Sequence, residues 1–365
     1  MFYDVIGKLY SEPLVDVRKY GAVADGITDN FNALNRAFKN ERCVYIPAGV
    51  FATSKTIEIP DNTLVVGAGF TSIIKLMHPF SLTAYPWRTT QKYPIVYVNA
   101  NCTLKDFLVN GDETEAEDHG QVGIWVHGDN TTLINVATKN INYFPDDWIG
   151  GTRGYGTINA PGYSIFISQC RNIQIVGCST DGSGYEGIGT EHAENVIING
   201  CCVGDGNRTG IQIHRGSKHV VVSDCIVDNH CENKLTDITI HGENTDTDYI
   251  EDLKIIGCSC VYPSNGEYGI QTVTGREKGV VIESCRITAN TIGIITANDM
   301  EETVQNSQNL VITGNIIDSE GDGIEVRGNK CVICNNIIHC SGTPITVTGE
   351  DKVIDNNLLI EEPAE

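Results

Sequence analysis

A short apolar phrase that returns along most of the chain is the feature that most constrains its fold. From about residue 100 onward, alternating apolar residues are followed by a small or polar residue and then by Cys or Asn, as in IQIVGC, VIINGC, VVVSDC, LKIIGC, VVIESC and LVITGN. The residues at this last, marker position are Cys178, Cys201, Cys225, Cys258, Cys285, Asn315, Asn336 and Asn357, with spacings of 21 to 33 residues. Self-similarity at such a period is typical of a repeat architecture.

A second phrase lies between the copies of the first and reads GIWV, YSIFI, GIGT, GIQI, DITI, GIQT, GIIT, GIEV and PITV. Each repeat therefore contains at least two short strands with period-2 alternation, separated by polar turns. Because strands this short do not bury an apolar face alone, successive repeats must stack as coils around one core. Apolar spacing of 3.6 residues does not occur in the repeats, which excludes a helical or leucine-rich repeat, and a propeller blade would need four strands.

The marker position indicates how the coils stack. It holds Cys in some repeats and Asn in others, which suggests a residue just inside a turn that stacks on its equivalents as a ladder. Cysteines placed in this way act as small buried apolar residues rather than as a disulfide framework. We therefore predict an all-β solenoid whose parallel strands are stacked coil on coil.

The residues before the repeats predict a cap. Asp29 is a suitable N-cap for a short amphipathic helix, because its side chain can accept from the first backbone N–H groups. The apolar face of this helix is formed by Phe31, Leu34, Ala37 and Phe38. Laid over the first coil, such a helix would hide open strand edges. We expect an N-terminal cap over residues 1–60 and one continuous β-helix domain over residues 61–365.

The N-terminal region closely resembles that of the pectate-lyase-like superfamily. The resemblance is carried by VDVRKYGAVADGITDNFNALNRAFKN, CVYIPAGVF and LVVGAGFTSIIKL, within residues 15–75, and by the style of the later repeats. Phage tailspikes, polygalacturonase-like hydrolases, polysaccharide lyases and alginate epimerases share this fold. The resemblance implies a right-handed parallel β-helix that binds or cuts polysaccharide, although one fold serves many functions.

The charge of the chain narrows its partners. A net charge of −22 repels a phosphate backbone, so nucleic acid is not an expected partner, and it favours a neutral or amino-sugar polymer. The acidic run from Gly111 to Gly120 lacks the spacing of a calcium loop, so we expect no metal and no other cofactor. The first residues do not resemble a signal peptide, and no apolar window is long enough to insert in a membrane.

Strand alternation predicts a functional outer face. The isoleucines that should point into the core are Ile124, Ile165, Ile188, Ile211 and Ile238. Their neighbours then form an exposed row, Trp125, Phe166, Gly189, Gln212 and Thr239. A second outward row consists of His127, Ser168, Glu191, His214 and His241. A titratable row over adjacent coils is more than a fold requires, with a plain solvated face as the alternative.

Carboxyl groups near this face could move protons. The residue before the second phrase is Gly in most coils but is Asp237 in one, and Glu186 lies two coils earlier. At about 4.8 Å per coil these two carboxyls would be roughly 9 to 10 Å apart, near the upper limit for inverting glycosidases. Glu191 and His214 offer a second acid–base cluster. The catalytic residues that we predict are Glu186, Glu191, Asp237, His214 and His241.

The catalytic phrases of the superfamily do not transfer to this chain. The hydrolase phrases NTD, GDD, GHG and RIK are absent as such. The epimerase-like stretch YGFDPHE is matched only in part by GYEGIGTEH, from Gly184 to His192, which lacks the Asp-Pro-His order. The reaction is therefore left open between hydrolysis, elimination and epimerisation.

An aromatic insertion between Val136 and Cys178 predicts one wall of a binding groove, with a subunit contact as the alternative. It reads NINYFPDDWIGGTRGYG, where rings can stack on sugars and acids can hydrogen-bond hydroxyl groups. The substrate-binding residues that we predict are Trp125, His127, Tyr143, Asp146, Asp147, Trp148, Tyr155, Tyr185, Arg208, Gln212 and Arg215.

Two classes of function remain. The first is a glycosidase-like polysaccharide depolymerase of tailspike type, with a lyase or epimerase as its closest variant. The second is a non-catalytic glycan-binding adhesin or structural spike. The resemblance to tailspikes also implies a location on a virion or outside the cell, and a trimer formed through the solenoid flank.

Overall fold

The computed structural model describes residues 12–87, 90–111, 121–141, 162–204, 209–228, 236–242, 248–261, 268–274, 276–296 and 308–361. The chain forms two compact units, Met1–Tyr185 (unit 1) and Glu186–Glu365 (unit 2). In each unit the strands fall into two sheets, which we name sheet A and sheet B. The cap boundary at residue 60 stays a prediction.

Unit 1 begins with a 3-10 helix at Val17–Tyr20 and helix α1 at Phe31–Asn40. Its sheet A contains β1 (Val15–Asp16), β2 (Cys43–Ile46), β3 (Gly49–Thr53), β5 (Leu64–Gly67), β6 (Ser72–Leu76), β9 (Thr103–Asn110), β11 (Thr132–Ile141), β13 (Arg171–Val176) and β14 (Ser179–Ser183). Its sheet B contains β4 (Ile57–Ile59), β8 (Thr90–Val98), β10 (Gln121–Val126) and β12 (Tyr163–Ser168). Strand β7 (Tyr85–Trp87) pairs antiparallel with β8 as a hairpin.

In unit 2 each coil contributes one strand to sheet B and then two strands to sheet A. Sheet B contains β15 (Glu186–Glu191), β18 (Thr209–His214), β21 (Thr236–His241), β24 (Tyr268–Thr272), β27 (Ile292–Ile295), β30 (Asp322–Arg327) and β33 (Ile345–Thr348). Sheet A contains β16 (Glu194–Asn199), β17 (Cys202–Val203), β19 (Lys218–Ser223), β20 (Ile226–Asp228), β22 (Ile250–Ile256), β23 (Ser259–Val261), β25 (Glu277–Glu283), β26 (Arg286–Ala289), β28 (Gln308–Thr313), β29 (Ile316–Ser319), β31 (Asn329–Cys334), β32 (Ile337–Cys340), β34 (Lys352–Asp355) and β35 (Leu358–Glu361). Strands of successive coils pair in parallel, which confirms the predicted parallel β-helix.

Helix α1 is the predicted amphipathic helix with a shifted start. Asn30 occupies the N-cap and Asp29 accepts from the Phe31 N–H at 3.0 Å, so the cap residue lies one position later than predicted. Asn30 instead uses its amide to bind the carbonyls of Val23 and Thr28, at 2.9 and 2.7 Å. The buried helix residues are Ala33, Leu34, Ala37 and Phe38, while Phe31 is half-buried.

The marker residues form the predicted ladder in unit 2. Cys225 Sγ donates to the Ile198 carbonyl of the preceding coil at 3.7 Å, and Cys258 Sγ repeats this contact with the Val222 carbonyl at 3.7 Å. Further along, the Asn336 amide donates to Asn357 Oδ1 at 2.9 Å, repeating a contact in which Asn315 donates to Asn336. The cysteines within the described ranges form no disulfides, and those at the marker positions are buried, as predicted for small apolar residues.

Candidate functional site

The two outward rows predicted from alternation are present in sheet B of unit 2. Gly189, Gln212 and Thr239 are aligned in neighbouring strands, and so are Glu191, His214 and His241. The isoleucines beside them, Ile188, Ile211 and Ile238, are fully buried in the core. Gln212 and Thr239 are nevertheless buried rather than exposed, at 0% and 1%, so the exposure expected for the first row is wrong.

Glu191, His214 and Arg215 form a tight charged cluster at the ends of β15 and β18. The Arg215 Nε lies 3.3 Å from Glu191 Oε1 and donates to His214 Nε2 at 3.2 Å. The other imidazole nitrogen, Nδ1, lies 3.9 Å from Glu191 Oε2. Since His214 accepts at Nε2, its neutral form carries the proton on Nδ1, facing the carboxylate. The Glu191 side chain is only 2% exposed, so this ion pair is shielded from water.

His241 extends this cluster into the next coil. Its ring centroid lies 4.7 Å from that of His214, at an angle of 39°. An imidazole packed against another imidazole beside a carboxylate has the chemistry of a proton donor or acceptor. The structure therefore brings together four of the predicted residues, Glu191, His214, Arg215 and His241.

Glu186 begins β15 and contacts the next coil. With its amide oriented to satisfy both groups, the Gln212 nitrogen donates to Glu186 Oε2 at 2.7 Å. Glu186 aligns with Thr209, whose hydroxyl lies 3.4 Å from that of Thr239 on the outer face. Gln212 aligns with Gly189, so it contacts Glu186 from the side nearer to Glu191.

Asp237 occupies a column in which other coils have glycine. A Cβ built on Gly210 would lie 2.3 Å from a Val227 methyl, and one built on Gly269 would lie 2.3 Å from an Ile287 methyl. Gly293 and Gly323 meet Ile317 and Ile338 of sheet A in the same way. Side chains in this column therefore point into the solenoid core of unit 2, not toward a polymer on its surface.

Cys260 explains how Asp237 fits. The core column opposite the glycines runs through Val227, Cys260 and Ile287 in register, and Asp237 lies opposite Cys260. The larger Asp237 side chain, fully buried, thus faces the smallest side chain of this part of the column. Unit 1 repeats the arrangement, since Ser164 replaces the glycine there and contacts Ser183 rather than a branched residue.

The predicted binding residues of unit 1 lie in a separate aromatic cluster. Trp125 is 1% exposed and donates its indole N–H to Ser168 Oγ at 2.7 Å. Tyr97 stacks on Tyr85 of the β7–β8 hairpin with a centroid distance of 4.1 Å. Tyr185 is half-buried against this cluster. A buried tryptophan with its N–H already bonded contributes packing rather than an exposed sugar platform.

His127 and Lys92 add polar groups to the same cluster. Burial lowers the pKa of His127, although a backbone hydrogen bond at Ser168 partly opposes this. Lys92 is 1% exposed, with its ammonium 4.1 Å from the centre of the Tyr163 ring. Sequence analysis missed Lys92, because nothing in its strand pattern marks a lysine that faces aromatic rings.

Six predicted residues lie outside the described ranges: Tyr143, Asp146, Asp147, Trp148, Tyr155 and Arg208. One feature that the sequence did not indicate is the contact of His192 Nε2 with Asp248 Oδ1 at 3.4 Å. Glycine at position 216 leaves room for the His192 ring, because an added Cβ there would lie against it.

The described residues contain no group of three or more side chains that could hold a metal ion. Of the described helices, none has the length and apolar character needed to span a bilayer.

The stacked coils and the carboxylate–imidazole cluster define a β-helix protein with acid–base side chains on the outer face of sheet B. The family model described as rhamnogalacturonase A/epimerase, pectate lyase-like, matches residues 14–237. The chain belongs to this family.

Individual proteins similar to the chain differ in function. The pre-neck appendage protein of Bacillus phage B103 is 32% identical over 230 residues, which cover 59% of this chain and 26% of the phage protein. The match thus spans about a quarter of that relative. An exopolygalacturonase of Thermotoga maritima has a TM-score of 0.68 at 14% identity, covering 98% of this chain and 96% of its own. PfbA, a surface adhesin of Streptococcus pneumoniae, has a TM-score of 0.64 at 13% identity, covering 95% and 91%. At these identities the two structures establish the fold alone.

Proposed function

We propose that the protein binds a polysaccharide on the outer face of sheet B in unit 2 and hydrolyses it there. The observation that carries this proposal is the shielded cluster of Glu191, Arg215 and two imidazoles in contact, with Glu186 on the same strand as Glu191. Buried charges are costly unless they are paired, and they concentrate at sites that perform chemistry. The family and its carbohydrate-active members support the same conclusion.

The spacing of the two glutamates suits hydrolysis. Glu186 and Glu191 are the first and last residues of β15, about 16 Å apart along the strand. With both side chains leaning toward each other their carboxyls would come within about 9 Å, near the upper limit for inverting glycosidases. Gly189 has no side chain to stand between the two acids.

The contacts of each glutamate suggest its role. Glu191 faces the Arg215 guanidinium, which favours its ionised form, so we assign it as the base that activates water. Glu186 contacts the neutral amide of Gln212 and is assigned as the acid that protonates the leaving oxygen. His241 would hydrogen-bond sugar hydroxyl groups beside them, and His214 and Arg215 would hold Glu191 in place. Asp237, which faces the core column, has no part in this assignment.

The test is hydrolysis by the wild type, E186Q and E191Q on a panel of polygalacturonate, alginate, dextran and chitooligosaccharides. Each substitution should reduce reducing-end release by about 10²- to 10⁴-fold, because each removes one proton-transfer group. E283Q, at an exposed position of sheet A, is the matched control and should retain wild-type rates. Unchanged rates in both site variants, or products with a new ultraviolet-absorbing unsaturated end, would contradict the proposal.

Glycan binding without cleavage is the second candidate. It is favoured by the Glu191–Arg215 contact, because an acid already held by an internal cation is less available to a substrate. In that case the polymer would bind the wild type, and mass analysis after long incubation would find no product.

The phage relative supports a proposed location on a virion or outside the cell. Mass spectrometry of purified virions would detect the chain there. The trimer implied by the tailspike resemblance stays a prediction.

A further inference from the structure

The coil that follows His241 places an arginine beside the cluster. Val273 donates its backbone N–H to Ile240 at 2.9 Å, and the Thr274 hydroxyl donates to the Gly242 carbonyl at 2.7 Å. These contacts hold the coil beside the end of β21. Arg276 follows two residues after Thr274, and a Cβ built on Gly242 would lie 3.5 Å from the Arg276 Cβ.

The charge of Arg276 is not balanced by the described part of unit 2. Three other arginines of this unit each have a carboxylate partner: Arg215 with Glu191, Arg286 with Asp318 and Arg327 with Glu325. No such ion pair joins Arg276 to the residues that the structure describes. Arg36 and Arg42 of unit 1 also lack a carboxylate partner within the described ranges, but each donates to a backbone carbonyl, of Tyr20 and of Asp61, and the Arg276 guanidinium makes no such bond to the described residues.

The guanidinium also has an unsatisfied donor. Its Nε is buried and makes no hydrogen bond within the described ranges. This buried Nε is out of reach of a ligand, but the residue is only half-buried, and its terminal nitrogens are not among the buried atoms that lack a hydrogen bond. The planar guanidinium fork is suited to two oxygen atoms held side by side, such as adjacent hydroxyl groups of a sugar or a carboxylate.

We propose that Arg276 is a glycan-binding residue that holds the sugar unit beyond His241, with its two terminal nitrogens donating to two oxygens of that unit. This proposal rests on the proposed polysaccharide site in unit 2. It adds a residue one coil past the predicted catalytic row, and it assigns to Arg276 a role in affinity rather than in proton transfer.

The experiment compares the wild type with R276Q, R276K and R286Q on the same polysaccharide panel. We expect R276Q to raise Kd, and KM where product forms, by about 10- to 100-fold with little change in kcat, since a charge-assisted bidentate contact is lost. R276K should restore only part of the affinity, because an ammonium does not reproduce the fork. R286Q removes an exposed arginine of sheet A and should bind as the wild type does.

The outcomes separate the two proposals. If the wild type binds no polymer of the panel, both proposals fail. If the wild type binds and R276Q binds equally well, only the assignment of Arg276 fails. Thermal melting of each variant distinguishes affinity from folding, because a merely structural role would lower the melting temperature of R276Q and leave the affinity of its folded fraction unchanged.

Discussion

Replacing Cys260 by valine should destabilise the protein only while Asp237 is present. Both residues belong to the inward columns of unit 2, where other coils combine glycine with valine or isoleucine. C260V introduces the branched side chain that other coils have at this position, but this side chain then clashes with that of Asp237. D237G removes that side chain, so the combination of D237G with C260V recreates the packing of the neighbouring coils.

The magnitude follows from those coils. At Gly210, Gly269 and Gly293 an added Cβ would lie 2.3 Å from the opposing methyl, well inside normal contact. Overpacking of this kind costs about 1 to 3 kcal/mol. In the D237G background the added methyl meets open space, and the cost should fall to about zero. The coupling free energy between the two positions is therefore about 1 to 3 kcal/mol, within the range for residues in contact.

Thermal unfolding of the four proteins, followed by circular dichroism or calorimetry, measures this coupling. For a unit of this size, about 1 to 3 kcal/mol corresponds to a shift of about 2 to 12 °C in the melting temperature. V227C is the control, because it removes a methyl group from the same column opposite Gly210. It should lower the free energy of unfolding by the same amount with or without D237G. Equal losses from C260V in both backgrounds would refute the packing argument. Polysaccharide binding by D237G should remain at the wild-type level.

Three further perturbations test other parts of the structure. Burial depresses the pKa of His127 below its ordinary 6.5, so the folded state binds fewer protons than the unfolded one, and stability should fall as pH drops through 6.5. H127N should flatten that part of a plot of melting temperature against pH, and an unchanged slope would contradict the assignment. Lys330 has a φ of 58°, so K330N should raise stability by about 1 kcal/mol in urea titrations, whereas K352N in an edge strand should not. W125F removes the indole N–H that donates to Ser168 Oγ and should lower the free energy of unfolding by about 1 to 3 kcal/mol in the same assay. An unchanged free energy would exclude a buried hydrogen bond there.

Much of the fold could be predicted because each coil carries the same short sequence pattern. Each coil repeats an apolar alternation and a marker residue, and stacking is the way such strands bury their apolar faces. The alignment of Glu191 with His214 and His241 follows from that repetition, so it was available from spacing alone. The contact of Arg215 with Glu191 was not, because it depends on the side chains chosen at the end of a strand.

Other features needed the tertiary structure. Alternation places Asp237 on the face opposite Ile238, yet a side chain in its column meets the core side chains of sheet A. Both residues face inward there, so the alternation breaks near the start of the strand, and an apolar pattern does not record such a break. Burial of Gln212 and Trp125 on the outer face is likewise set by segments distant in sequence. The sequence by itself therefore determined the coils, their register and the isoleucines that face the core. Only the packed structure decided that the column of Asp237 faces inward and that Gln212 and Trp125 are buried, since both depend on contacts between distant segments.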